Sequence, residues 1–171
     1  MLDLDVADAL RRAVQAGESV VVAAEPSRVG KSTLADALVQ ELPAGAERVY
    51  IRGCYETFAF ADNVGAARMA LLVNEISPHL PTYLWGAAAR RLLRLARDGA
   101  QVIGTIHAST PDDVVYQLSR QPVGATPDEI AALGTLVLLG PPSADGIDRW
   151  RVRSVVTLRA MGQGIRIEEI A

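Results

Sequence analysis

Residues 23–38 read AAEPSRVGKSTLADAL, and this stretch constrains the fold more than any other part of the chain. Before it, Ser19 to Ala24 is an apolar run; after it, Leu34, Leu38 and Leu42 recur at period four along Lys31 to Leu42. The order predicts strand, loop and helix. Glu25, Pro26, Ser27, Arg28, Val29, Gly30, Lys31 and Ser32 fill the places of the phosphate-loop pattern G-x-x-x-x-G-K-[ST], with only the first glycine missing. Such a loop works by aiming backbone N–H groups and a helix N-terminus at an anion, with a lysine and a hydroxyl beside them. Ser27, Arg28, Val29, Gly30, Lys31, Ser32 and Thr33 are therefore the candidate nucleotide-binding residues. Lys31 would contact the β- and γ-phosphates and Ser32 would hold Mg²⁺. The plain alternative is a strand, turn and helix that happens to contain GKST, with Lys31 in solvent.

The missing glycine is replaced by an anion. Two unit charges about 5 Å apart interact by roughly 3 kcal/mol at an effective dielectric near 20. A Glu25 carboxylate turned into the loop would thus weaken ATP binding. It escapes that conflict if it leaves the strand toward solvent or pairs with Arg28. Ser27, Arg28 and Val29 also tolerate positive φ poorly, Val29 least because it is β-branched.

The rest of the chain fits an α/β domain. Apolar runs (VYI in RVYIRG, ALLVNEI, AQVIGTIHA, GTLVLLG) alternate with helical stretches at Asp5–Ala16, Ala61–Met69, Thr82–Ala96, Pro111–Arg120 and Pro127–Leu133. Repeated β-α-β units imply a mostly parallel sheet. The tail from Arg149 alternates with period two and contains glycine turns, which predicts a hairpin. PPSADGID, just before it, reads as a flexible loop. With 171 residues and half of them hydrophobic, the chain is long enough for a single domain with an aliphatic core. A formal net charge of −3 gives no sign of nucleic acid or an anionic membrane as a main partner. The one cysteine, Cys54, cannot form an internal disulfide, which points to a reducing cytoplasm. The acidic start, MLDLDVADAL, is unlike a signal peptide, and no apolar run approaches the roughly 18 residues of a membrane span.

Three further residues stand at strand ends, the rim where open α/β sheets bind ligands. Glu75 closes ALLVNE and would polarise an attacking water or hold the Mg²⁺ shell; otherwise it is a surface acid or helix cap. Glu56 follows RVYIRGCY in a loop with Tyr55 and Phe58, where a plain loop acid is as good a reading. His107 follows AQVIGTI and would sense the γ-phosphate by hydrogen bonding, or else is a satisfied polar residue. His79 reads as exposed loop, and Arg90, Arg91, Arg94 and Arg97 as a solvated helix face.

Taken together, these segments resemble the type II/type IV secretion ATPase superfamily, which includes pilus assembly and retraction motors. The similarity runs over nearly the whole chain, to that family's C-terminal RecA-like domain. DVADALRRAVQAGESVVVAAEPSRVGKSTLADAL resembles its Walker A entry, and ALLVNEIS its Walker B strand, with Asn74 and Glu75 in the Gly-Glu places. RVYIRGCYETF falls at the Asp box with Glu56 at its closing glutamate, AQVIGTIHASTPDDVVYQL at the His box with His107 as its histidine. The last helices and hairpin follow in QPVGATPDEI and WRVRSVVTLRAMGQGIRIEEIA. The chain departs from the family in the glycine-poor loop, in Arg52 and Gly53 at the Asp box, in the shortened arginine segment from Thr57 to Met69, and in Ser77-Pro78 after Walker B. The family's N-terminal domain has no counterpart here.

The resemblance implies a single RecA-like domain over residues 1–171 that binds ATP with Mg²⁺ and hydrolyses it. It also implies a homo-oligomer, a hexameric ring with ATP at the subunit interfaces. The ring would be cytoplasmic at the inner face of the membrane, engaging secretion or pilus components and no nucleic acid directly. The departures carry an alternative, a non-hydrolysing relative acting as a regulatory or scaffold subunit. A small-molecule P-loop kinase fits less well, having no use for the His box or the terminal hairpin.

Overall fold

The computed structural model describes residues 4–25, 29–62, 69–140 and 151–170. Pro26, Ser27, Arg28, most of the expected 61–69 helix and the PPSADGID loop lie outside the described residues. Seven strands form one sheet in the order β2-β3-β4-β1-β5-β6-β7. They are β1 (Val20–Ala23), β2 (Glu47–Ile51), β3 (Met69–Ile76), β4 (Gln101–Ile106), β5 (Thr135–Gly140), β6 (Arg151–Met161) and β7 (Gly164–Glu169). The first five are parallel; β6 and β7 add antiparallel, as the period-two tail predicts.

Every residue of β1 is buried, as is usual for a central parallel strand with helices on both faces. Its side chains alternate between two cores. Val20 and Val22 join Leu10 and Val14 of α1 (Leu4–Gln15) and Leu38 and Val39 of α2 (Lys31–Gln40). Val21 and Ala23 join Leu92 and Leu93 of α3 (Ala87–Arg97), Val114 and Leu118 of α4 (Pro111–Ser119) and Ile130 of α5 (Pro127–Ala131). The Thr-Pro openings of α4 and α5 form complete capping boxes, Thr110 with Asp113 and Thr126 with Glu129.

Three expectations change. Met69 begins β3, paired with Glu47, and does not end a helix. The third long helix begins at Ala87, not Thr82, because Leu84 bridges to Ile76 and Gly86 adopts φ 62° and ψ −135°. The arginine stripe of α3 is not simply solvated. Arg90 and Arg94 reach the Glu129 carboxylate at 3.1 and 2.8 Å, and Arg97 lies at 4.0 Å. Glu129 is only 2% exposed in its side chain. Burial alone would raise its pKa, but the arginines and the Thr126 N–H outweigh that and hold it below the ordinary value.

Candidate nucleotide site

In the order β3-β4-β1, the three strands that carry the candidate residues are contiguous, and they are parallel. The loop after β1, the end of β3 and the loop after β4 therefore open on one rim of the sheet.

The loop after β1 ends at Gly30, whose φ of 93° lies in the left-handed region and whose position leaves open space for 4 Å around an added Cβ. Val29 is buried. The left-handed conformation at Gly30 is one that glycine adopts at no steric cost. α2 starts directly after it, with no side chain capping its N-terminus. An uncapped start of a helix this long offers N–H groups to an anion. Ser32 and Thr33 are exposed on this first turn.

Lys31 does not lie in solvent. Its side chain is 8% exposed, its Nζ donates to the Ala24 carbonyl at 3.1 Å, and it stands 3.8 Å from Glu75 Oε2. Glu75 is itself 12% exposed. A register shift between Val73 and Ile76 breaks the β3–β4 ladder at this point. Bulges of this kind re-aim side chains at sheet rims. Gly104 allows the close approach just before the shift, since a Cβ there would lie 2.5 Å from the Val73 carbonyl oxygen. Thr105 then donates to Glu75 Oε2 at 2.8 Å and also contacts the Asn74 carbonyl. The other oxygen, Glu75 Oε1, is buried with no hydrogen-bond partner among the described residues. A buried carboxylate oxygen normally has a donor; a water or a hydrated cation would supply one.

Two cavities lie along this rim. One, of about 210 Å³, is lined by Glu75, Asn74, Arg52, Gly53, Thr82 and Tyr83 among others. The other, of about 470 Å³, brings Ser32 and Asp36 of α2 to Asn74 and Thr105. The described residues contain no cluster of three or more His, Cys, Asp or Glu fit for a metal. Mg²⁺ in a phosphate site needs no such cluster, because the ion keeps waters and phosphate oxygens and takes one or two protein groups. The uncapped helix, the buried lysine and the orphaned carboxylate oxygen together fit a Mg-nucleotide.

His107 is half-buried after β4. Its pKa is lowered from 6.5, first by desolvation and then by His79 and Lys31, with Glu75 and Glu25 opposing, so the imidazole is neutral at pH 7. Its carbonyl accepts from Gln117 Nε2 at 3.0 Å. Glu25 is exposed and accepts a hydrogen bond from Ser109 Oγ at 2.6 Å. This tie to the β4–α4 loop is a disposition the sequence did not suggest; Ser27 and Arg28 lie outside the described residues.

Glu56 is engaged elsewhere. Its Oε1 accepts the Phe58 N–H at 2.8 Å and its Oε2 the Arg52 N–H at 3.1 Å, with Arg52 Nε at 3.5 Å. All these partners belong to its own loop. His79, read from sequence as a loop residue, is exposed but lies against His107, with ring centroids 3.9 Å apart. Histidine two residues beyond a buried serine was the only signal for it, and that pattern has no period or motif to mark it.

No protein-family model matches the chain, and no curated protein matches it. Among solved structures it is similar to the VirB11 ATPase of the Brucella suis type IV secretion system, crystallised in complex with sulphate. The two share 24% identity at a TM-score of 0.63, over 88% of this chain and 51% of the other. The chain thus spans about half the length of that structure. The likeness shows the fold alone, a mostly parallel sheet flanked by helices and closed by an antiparallel hairpin.

Proposed function

We propose that this chain is an ATP-binding and ATP-hydrolysing P-loop domain of the secretion and pilus motor type. One observation carries the reading: the buried Lys31–Glu75 pair at the uncapped start of α2, with Glu75 Oε1 lacking a donor among the described residues. Mg-ATP, when bound, supplies the phosphoanhydride bond whose hydrolysis releases orthophosphate. Lys31 and the N–H groups at the head of α2 would bind the phosphates, and the Ser32 hydroxyl would help hold Mg²⁺. Glu75 Oε1 orients a water and accepts its proton, while Thr105 fixes the carboxylate through Oε2. His107, neutral and therefore carrying one N–H and one acceptor nitrogen, hydrogen-bonds the terminal phosphate. The VirB11 structure was obtained with sulphate, an anion that resembles phosphate in shape, and this supports an anion site in the shared fold.

The reading extends to a single domain spanning residues 1–171 and to a homo-oligomeric ring, a hexamer with nucleotide at its interfaces. The ring would work in the cytoplasm at the inner membrane face with secretion or pilus components. No helix among the described residues is long and apolar enough to cross a membrane.

Ligand linkage tests the site. Mg-ATP at a hundredfold excess over its dissociation constant should stabilise the domain by about 2.7 kcal/mol, raising the melting temperature. The Lys31→Ala variant should lose that rise. A parent whose melting temperature is unmoved by millimolar Mg-ATP contradicts the reading. Binding without phosphate release would point instead to a scaffold subunit.

A further inference from the structure

His79 lies outside every motif and outside the machinery described above, yet its surroundings hold it in one orientation. The loop that carries it is fastened to the end of β3. Ser77 N–H donates to the Leu84 carbonyl at 3.2 Å, Leu84 N–H to the Glu75 carbonyl at 3.2 Å, and Leu84 is fully buried. Ser77 is fully buried too. Its hydroxyl oxygen accepts the His79 backbone N–H at 3.1 Å and lies 2.6 Å from His79 Nδ1. One of these two atoms donates to the other, according to the imidazole tautomer. Backbone and side chain are thus both pinned by one buried hydroxyl. The ring held in this way rests on the His107 imidazole, at 3.9 Å between centroids and 46° between planes.

We propose that His79 is a positioning residue for His107: its Ser77-pinned ring is the wall that sets the His107 imidazole toward the terminal phosphate, and so sharpens the choice of nucleoside triphosphate over diphosphate. This rests on the nucleotide reading of the site. Among the described residues, His79 is the side chain recorded in ring contact with His107. Without that ring the imidazole gains rotamers that do not serve the hydrogen bond. The groups bearing electrostatically on His107 besides His79 are Lys31 from α2, Glu75 from β3 and Glu25 from the loop after β1.

Calorimetric titration with Mg-ADP and with a magnesium complex of a non-hydrolysable ATP analogue tests the proposal on the parent, H79A, H79F, H107A and H79A/H107A. H79A should lose about three- to tenfold in triphosphate-over-diphosphate preference, the size of one ordinary hydrogen bond, with Mg-ADP affinity unchanged. H79F, which keeps a ring against His107, should retain most of the preference. H107A should show the same loss as H79A, and the double variant no more than either. An unchanged preference in H79A, an equal fall for both nucleotides, or additive losses in the double variant would overturn it. A parent that binds neither nucleotide overturns the reading of the site itself and this inference with it, an outcome distinct from a parent that binds while H79A behaves as the parent does.

Discussion

Glu56 follows β2 and Glu75 stands at the end of the adjacent parallel strand β3, and from sequence both are candidates for the same catalytic work. Their side chains are 4% and 12% exposed, so burial hardly separates them. What separates them is the supply of donors. Glu56 has an N–H on each oxygen, from Phe58 and Arg52, and closes its own turn. Phe58 takes φ 58° in that turn, an unusual conformation for a large side chain, supported by its N–H bond to Glu56 and by its burial. Glu75 has a donor on Oε2 and, among the described residues, none on Oε1, with a lysine beside it. A carboxylate with a backbone donor on each oxygen holds a loop together; one with a buried oxygen lacking a donor among the described residues, next to a cation, has capacity left for a water, a metal or a proton.

The contrast makes opposite predictions for the same substitution. Glu75→Gln should cut phosphate release by about 10²- to 10⁴-fold, the usual contribution of a general base, while leaving Mg-ATP affinity and stability nearly intact. Glu129→Ala provides the extreme structural case. It strips a buried acceptor from Arg90 and Arg94 and removes half of the α5 capping box. We expect a loss of about 2–3 kcal/mol by denaturant unfolding, below the range for fully buried pairs because the arginines can rehydrate. Glu56→Gln should cost about 1–3 kcal/mol, since the amide must present an N–H₂ to one of two N–H donors. Its phosphate release per folded molecule should match the parent. If Glu56→Gln abolishes turnover at full stability, the contrast fails.

Acid sharpens it further. Burial pushes the Glu56 carboxyl up, but the Phe58 and Arg52 bonds outweigh burial and leave its pKa below 4.5. A depressed folded-state pKa contributes stability that is fully present above about 4.5 and is lost as pH falls through the lower folded value. The Glu56→Ala variant should therefore show a flatter stability profile than the parent below pH 4.5. Identical slopes there would remove Glu56 from its structural role.

The smallest effect concerns the glutamate that opens the loop. Glu25→Gln keeps an acceptor for Ser109 and removes the charge. Because Glu25 is exposed, Mg-ATP affinity should rise only about three- to tenfold at low salt, and the gain should fade near 0.15 M, where the screening length is about 8 Å. Equal affinities at every salt concentration would make the charge electrostatically silent.

Much of this architecture was legible in the sequence because it rests on local patterns. β1 and β3 are continuous apolar runs, α2 has leucines at period four, and the Thr-Pro pairs announce α4 and α5. Gly30 and Lys31 were readable for the same reason. What could not be read depends on where separate segments meet. The start of α3 was set by a bridge between Ile76 and Leu84, not by propensity. The α3 arginines converge on a glutamate 35 to 39 residues away in sequence. Glu56 and Glu75 were indistinguishable until the N–H groups around each were known, and the His79–His107 contact joins two loops that no spacing rule links.

The central claim is that Lys31 and Glu75 form a site that hydrolyses ATP. Phosphate release from Mg-ATP, measured on the parent and on Lys31→Ala side by side, tests it most directly. The account predicts release above background for the parent and a fall to background for Lys31→Ala, with the variant still folded. A folded parent that releases no phosphate, or a Lys31→Ala variant as active as the parent, would contradict it.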